Sequence, residues 1–81
     1  MKITITIKNC ISNRECNIQV NNGQKIGTTI RVLEDNMADI MEGLSDNVKV
    51  KSQRTKRRID LSRNYEHEMI FSGDILLLCS E

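Results

Sequence analysis

The sequence predicts an α+β domain: one mixed sheet of four to five strands with a single helix packed on one face. Three observations predict it. Residues 2–8 and 15–20 alternate apolar and polar side chains with the period of a strand. From Ile26 the apolar spacing changes to that of a helix. Residues 75–79 then close the chain as a nearly continuous aliphatic run. The 81 residues allow one domain, 1–81, and no second core.

The first strand reads K-I-T-I-T-I-K, with Ile3, Ile5 and Ile7 on one face and Thr4 and Thr6 on the other. Asn9, Ser12 and Asn13 favour a turn. Cys16, Ile18 and Val20 then define the buried face of a second strand, so the two make a hairpin. Asn21-Asn22-Gly23 breaks it. Ile26, Ile30, Leu33, Met37, Ile40 and Leu44 are spaced 4, 3, 4, 3 and 4, an amphipathic helical stripe. Asn21 or Asn22 is expected to cap that helix and Gly43 to end it in a left-handed turn. The run Thr28-Thr29-Ile30 is β-branched, so packing has to supply most of the helix's stability.

Val48-Lys49-Val50-Lys51 alternates again, and the basic stretch 52–58 reads as a turn. Residues 59–61 fit a short edge strand, 63–70 an irregular segment with one helical turn, and 71–74 a turn. The last strand is apolar enough to sit mid-sheet, beside the first. This order, hairpin, crossing helix and further strands, is that of the β-grasp, or ubiquitin-like, roll.

Composition narrows the function. The residues are 38% hydrophobic but only 2% aromatic, so stacking surfaces for nucleobases are nearly absent. No apolar stretch approaches the ~18 residues of a membrane span. The start at Met1 runs into an alternating pattern unlike a signal peptide, so a cytoplasmic location is expected. The net charge of +1 is a cancellation. Lys49, Lys51, Arg54, Lys56, Arg57 and Arg58 carry no acid among them, while Glu34, Asp35, Asp39, Glu42 and Asp46 carry no base.

The pieces Val48-Lys49-Val50-Lys51-Ser52 with Arg54, then Tyr65, then Ile70 followed by Ser72-Gly73-Asp74-Ile75-Leu76, resemble the YukD/EsaB family. Gln24-Lys25-Ile26 leading to Arg31-Val32-Leu33 is similar too. These are small ubiquitin-like proteins associated with type VII (WXG-type) secretion systems of Gram-positive bacteria. The likeness covers nearly the whole chain in pattern and concentrates in residues 48–78 in identity. It implies a non-catalytic accessory or regulatory module with a protein partner, a cytoplasmic or membrane component of the secretion machinery. The sequence ends Leu78-Cys79-Ser80-Glu81 rather than in the Gly-Gly of conjugated ubiquitin-like proteins and sulfur carriers. Adenylation chemistry therefore has no handle. The YukD/EsaB family lacks Gly-Gly as well.

The remaining chemistry is sparse. His67, between Glu66 and Glu68, has no evident catalytic partner. Neither a metal nor a cofactor is expected, because three Cys and one His would all have to converge. An odd number of cysteines leaves no closed disulfide set, so reduced thiols are expected. Cys16 and Cys79 read as buried small hydrophobes and Cys10 as the exposed thiol, with a Cys10–Cys16 redox pair as an open alternative.

The expected docking surface rests on strand phase. With Ile75 and Leu77 in the core, Leu76 and Leu78 point to the other sheet face, beside Lys49, Lys51 and Arg54. The basic run is either a charged edge that blocks aggregation or an electrostatic surface for an acidic protein. Nucleic acid and direct membrane insertion are not expected. A monomer or weak homodimer is. The alternative function is a small β-grasp accessory subunit of a multicomponent oxygenase or another enzyme complex.

Overall fold

The computed structural model describes residues 1–44 and 48–80. Four strands, β1 (Lys2–Asn9), β2 (Glu15–Asn21), β3 (Val48–Ser52) and β4 (Ile75–Ser80), form one sheet in the order β2-β1-β4-β3. The β1–β2 hairpin is antiparallel, with Ile3 opposite Val20, Ile5 opposite Ile18 and Ile7 opposite Cys16. β4 runs parallel to β1 at the sheet's centre and antiparallel to β3. Ile3, Ile5, Ile7, Val50, Leu76 and Leu78 bury one sheet face under Ile26, Ile30 and Leu33 of the helix α1 (Ile26–Asn36).

The helix is shorter than its stripe. α1 ends at Asn36, Met37 turns away at φ −135° and ψ 57°, and a 3₁₀ turn spans Ala38–Met41. Ile40 still reaches the core, which is why the apolar spacing continues past the break. Asn9 explains the interruption. Its buried amide donates to the carbonyls of Ile40 (2.9 Å) and Glu42 (2.8 Å), and its Oδ1 accepts from the N–H groups of Ile11 and Ser12. Carbonyls held there by a strand residue need no helical partner. Gly43, at φ 82°, takes the left-handed conformation expected of it, but it follows the 3₁₀ turn rather than the helix.

Neither Asn21 nor Asn22 caps α1. The N-cap is Lys25, without a side-chain cap. Backbone carbonyls do the work: Ile26 N–H donates to Arg63 (3.0 Å) and Gly27 N–H to Leu61 (2.8 Å). A Cβ at residue 27 would lie 3.0 Å from the Leu61 oxygen, so glycine permits this approach. Asn21 instead holds its own turn through Gly23 N–H.

Residues 59–61 do not form a strand. One bridge pairs Lys51 with Arg58, and Ile59 N–H donates to Val50 (2.8 Å) while its side chain is buried. Tyr65 is fully buried and donates its hydroxyl to Thr29 Oγ1 at 2.7 Å, tying the 63–70 segment to the helix. Asp46 of the acidic run, and Glu81, lie outside the described residues.

Candidate protein-interaction surface

The phase of β4 is opposite to the expected one. Leu76 and Leu78 are 0% exposed and sit in the core, so they cannot contact a partner. Ile75 and Leu77 face outward and are half-buried. Four consecutive aliphatic residues make either phase acceptable to hydrophobicity alone. Pairing decides. Lysines 49 and 51 keep to the wet face, so Val50 goes inward, and Val50 lies opposite Leu78. Ile7 lies beside Leu76 on the other flank.

The outer face can then be assembled row by row. Thr6 is beside Ile75. Leu77 lies between Lys8 of β1 and Lys51 of β3, and Lys8 pairs in turn with Glu15 of β2. Cys79 lies opposite Lys49. Two aliphatic side chains therefore stand in the middle of the uncovered face, and lysines flank Leu77 on both sides. The outward aliphatic residues of β4 are Ile75 and Leu77, in place of the expected Leu76 and Leu78. Lys8 is a rim member that sequence reasoning missed. The alternation of β1 with β4 carried that signal only once the pairing was known.

Arg54 belongs elsewhere. It lies beyond β3, where its Nε donates to Asp74 Oδ1 at 3.0 Å and its Nη2 to Asp74 Oδ2 at 3.2 Å and to the Met69 carbonyl at 3.0 Å. Its guanidinium also lies 5.6 Å from the centroid of the Phe71 ring. Asp74 is buried, and the Arg54 hydrogen bond holds its carboxyl below the ordinary carboxylate range, against the opposing effect of burial. Arg57 is likewise engaged, donating to the Glu68 carbonyl at 2.9 Å. Glu68 is buried, accepts from Asp60 N–H at 2.6 Å, and has Arg57 and Arg63 within 3.9 and 3.8 Å. Two arginines of the basic run, Arg54 and Arg57, thus fix the loops around 68–74.

The acidic side lies on the covering layer. Glu34 and Asp35 are exposed on α1, and Asp39 and Glu42 both reach Arg14 of the hairpin loop at 3.6 Å. The lysines of β3 occupy the opposite face of the sheet.

The cysteines correct a second expectation. Cys10 and Cys79 are joined by a disulfide, with Cα atoms 5.5 Å apart. Cys79 shares the outward phase of Ile75 and Leu77, so it is not a core residue. Cys16 is the free thiol, half-buried beside the core, and burial followed by the Asp39 charge pushes its pKa up. Cys10 therefore pairs with Cys79 and not with Cys16. Sequence gave no signal for this, because strands distant in the chain bring the two together. His67 is exposed, and its backbone N–H donates to Asn64 Oδ1. Among the described residues, no three His, Cys, Asp or Glu converge as metal ligands. No helix among them is long and apolar enough to cross a membrane.

No family model matches the chain, and no curated protein does. Solved structures do. A designed protein based on ubiquitin matches with a TM-score of 0.73 at 18% identity, over 95% of this chain and 85% of that one. The ubiquitin of Caldiarchaeum subterraneum matches with a TM-score of 0.73 at 15% identity, over 100% of this chain and 95% of that one. Together with the β2-β1-β4-β3 sheet and its single covering helix, these likenesses identify the fold as an α+β β-grasp of the ubiquitin-like kind.

Proposed function

We propose that this chain is a non-catalytic protein-interaction module that docks through the outer face of its sheet. One observation carries the reading: Ile75 and Leu77 occupy the centre of the face the helix leaves bare, with Lys8 and Lys51 on either side of Leu77 and Lys49 beside the next outward residue, Cys79. An apolar centre with a basic rim suits a protein surface that offers an aliphatic contact surrounded by carboxylates. Ubiquitin-like domains commonly bind partners through this sheet face, which supports the same choice.

The resemblance of residues 48–78 to the YukD/EsaB family supports a role as a cytoplasmic accessory of a type VII secretion system. The partner is then a cytoplasmic or membrane component of that machine, such as its motor ATPase. In this reading the module acts by docking rather than by conjugation.

The test is titration calorimetry against the purified cytoplasmic regions of the ATPase and the membrane component. Wild-type protein binds one of them. The double variant Ile75→Asp with Leu77→Asp stays folded by circular dichroism and binds at least about tenfold more weakly, the scale of a lost interface anchor. Binding that is unchanged in this variant removes the docking surface. Failure of the wild type to bind either component removes the secretion role.

A further inference from the structure

The Cys10–Cys79 pair is built differently from a core staple. It lies on the sheet's outer face, where Cys10 is exposed and Cys79 is partly exposed, so a small reagent can reach it. Lys49 stands opposite Cys79 in the β3–β4 ladder, and Lys8, near the end of β1, lies two residues before Cys10. Both lysines set positive charge on the side of the sheet that carries the bridge. Cys16 offers neither property, being half-buried on the core side near Asp39.

The backbone needs no sulfur bridge to hold the two cysteines together. Cys10 N–H donates to the Leu78 carbonyl at 3.0 Å, and Cys79 is registered against Lys49. Opening the bridge therefore leaves both sulfurs in place for reclosure.

We propose that Cys10 and Cys79 form a reversible thiol–disulfide switch that takes a small-molecule disulfide as its oxidant. One thiolate attacks a sulfur of the external disulfide, forming a mixed disulfide and expelling one small thiolate. The second cysteine thiolate then attacks the protein sulfur of that mixed disulfide and expels the second small thiolate. The protein dithiol loses two electrons and two protons, and the reagent becomes two thiols. Two small thiols run the sequence backwards. The oxidised form closes a loop between positions 69 residues apart, which restricts the unfolded chain and raises the melting temperature.

The test does not depend on docking. Folded protein carrying Cys16→Ser is equilibrated across mixtures of reduced and oxidised glutathione, quenched by alkylation and weighed by mass spectrometry. It passes from two alkylated thiols to none in a single reversible transition, as a monomer. The oxidised form melts higher by roughly 10 °C or more. Adding Cys10→Ser or Cys79→Ser abolishes both the transition and the melting shift, with reduced Cys16→Ser protein as the control for folding. The switch is overturned if both thiols alkylate at every mixture, or if wild-type protein pairs through Cys16. It is also overturned if oxidation links two chains, or if the bridge resists reduced glutathione in the folded protein.

Discussion

Asp74 and Arg54 meet in a two-pronged ion pair, Nε to Oδ1 at 3.0 Å and Nη2 to Oδ2 at 3.2 Å, at the point where the chain enters β4. Asp74 Oδ2 also accepts from Phe71 N–H at 2.9 Å, so one buried carboxylate closes the 71–74 turn and anchors it to the loop after β3. Asp74→Asn keeps the shape but loses the charge and half the acceptors. It should lower stability by about 2 kcal/mol, the scale of charge-assisted hydrogen bonds. Urea denaturation checks this. Arg54→Lys should also destabilise, since an ammonium cannot reproduce the fork.

The same carboxylate sets an acid limb. The Arg54 hydrogen bond is the largest cause of the low Asp74 pKa; burial opposes it, and Phe71 N–H and the Arg54 charge assist. A depressed carboxylate stabilises the fold at pH above its unfolded value, near ~3.9. That contribution fades as pH falls through the lower folded value. Asp60 is shifted the same way, mainly by the Ser62 hydroxyl, but it is exposed. Urea midpoints measured between about pH 2 and 5 should therefore fall with acid in the wild type. The fall should be shallower in Asp74→Asn. Equal slopes would assign the acid limb to other groups.

Asn9 provides a sharper test of the helix break. Its two amide hydrogens face two carbonyls, and its oxygen faces two N–H groups. Asn9→Asp keeps the size but turns carboxylate oxygen toward the Ile40 and Glu42 carbonyls in a buried site. A cost of about 3 kcal/mol is expected. Hydrogen exchange should accelerate first in residues 38–44 and 10–13. Uniform acceleration across the sheet would argue that Asn9 is merely a core residue.

Local pattern was legible and partnership was not. The Ile3, Ile5, Ile7 alternation and the Ile26, Ile30, Leu33 stripe each show a single periodicity, and each carries through to burial. The β4 run Ile75-Leu76-Leu77-Leu78 is apolar in both phases, so only its neighbours could choose a face. The α1 N-terminus is satisfied by Leu61 and Arg63, distant carbonyls that no capping signal marks. The docking residues follow this division. Lys49 and Lys51 keep the outward phase expected of them, Leu76 and Leu78 give way to Ile75 and Leu77, and Arg54 is taken up by Asp74. The Cys10–Cys79 contact joins opposite ends of the sequence, beyond any local cue.

The central position of β4 beside β1 has a consequence for biosynthesis. The earliest strand made must wait for the latest one, because Ile7 pairs with Leu76 and Asn9 with Leu78. On the ribosome, the β1–β2 hairpin and α1 are made before β4, so one flank of β1 stays unpaired until β4 has emerged. Such long-range closure slows folding relative to local topologies. The nascent domain therefore carries an open, isoleucine-rich strand until β4 emerges, the interval in which chaperone capture is most useful.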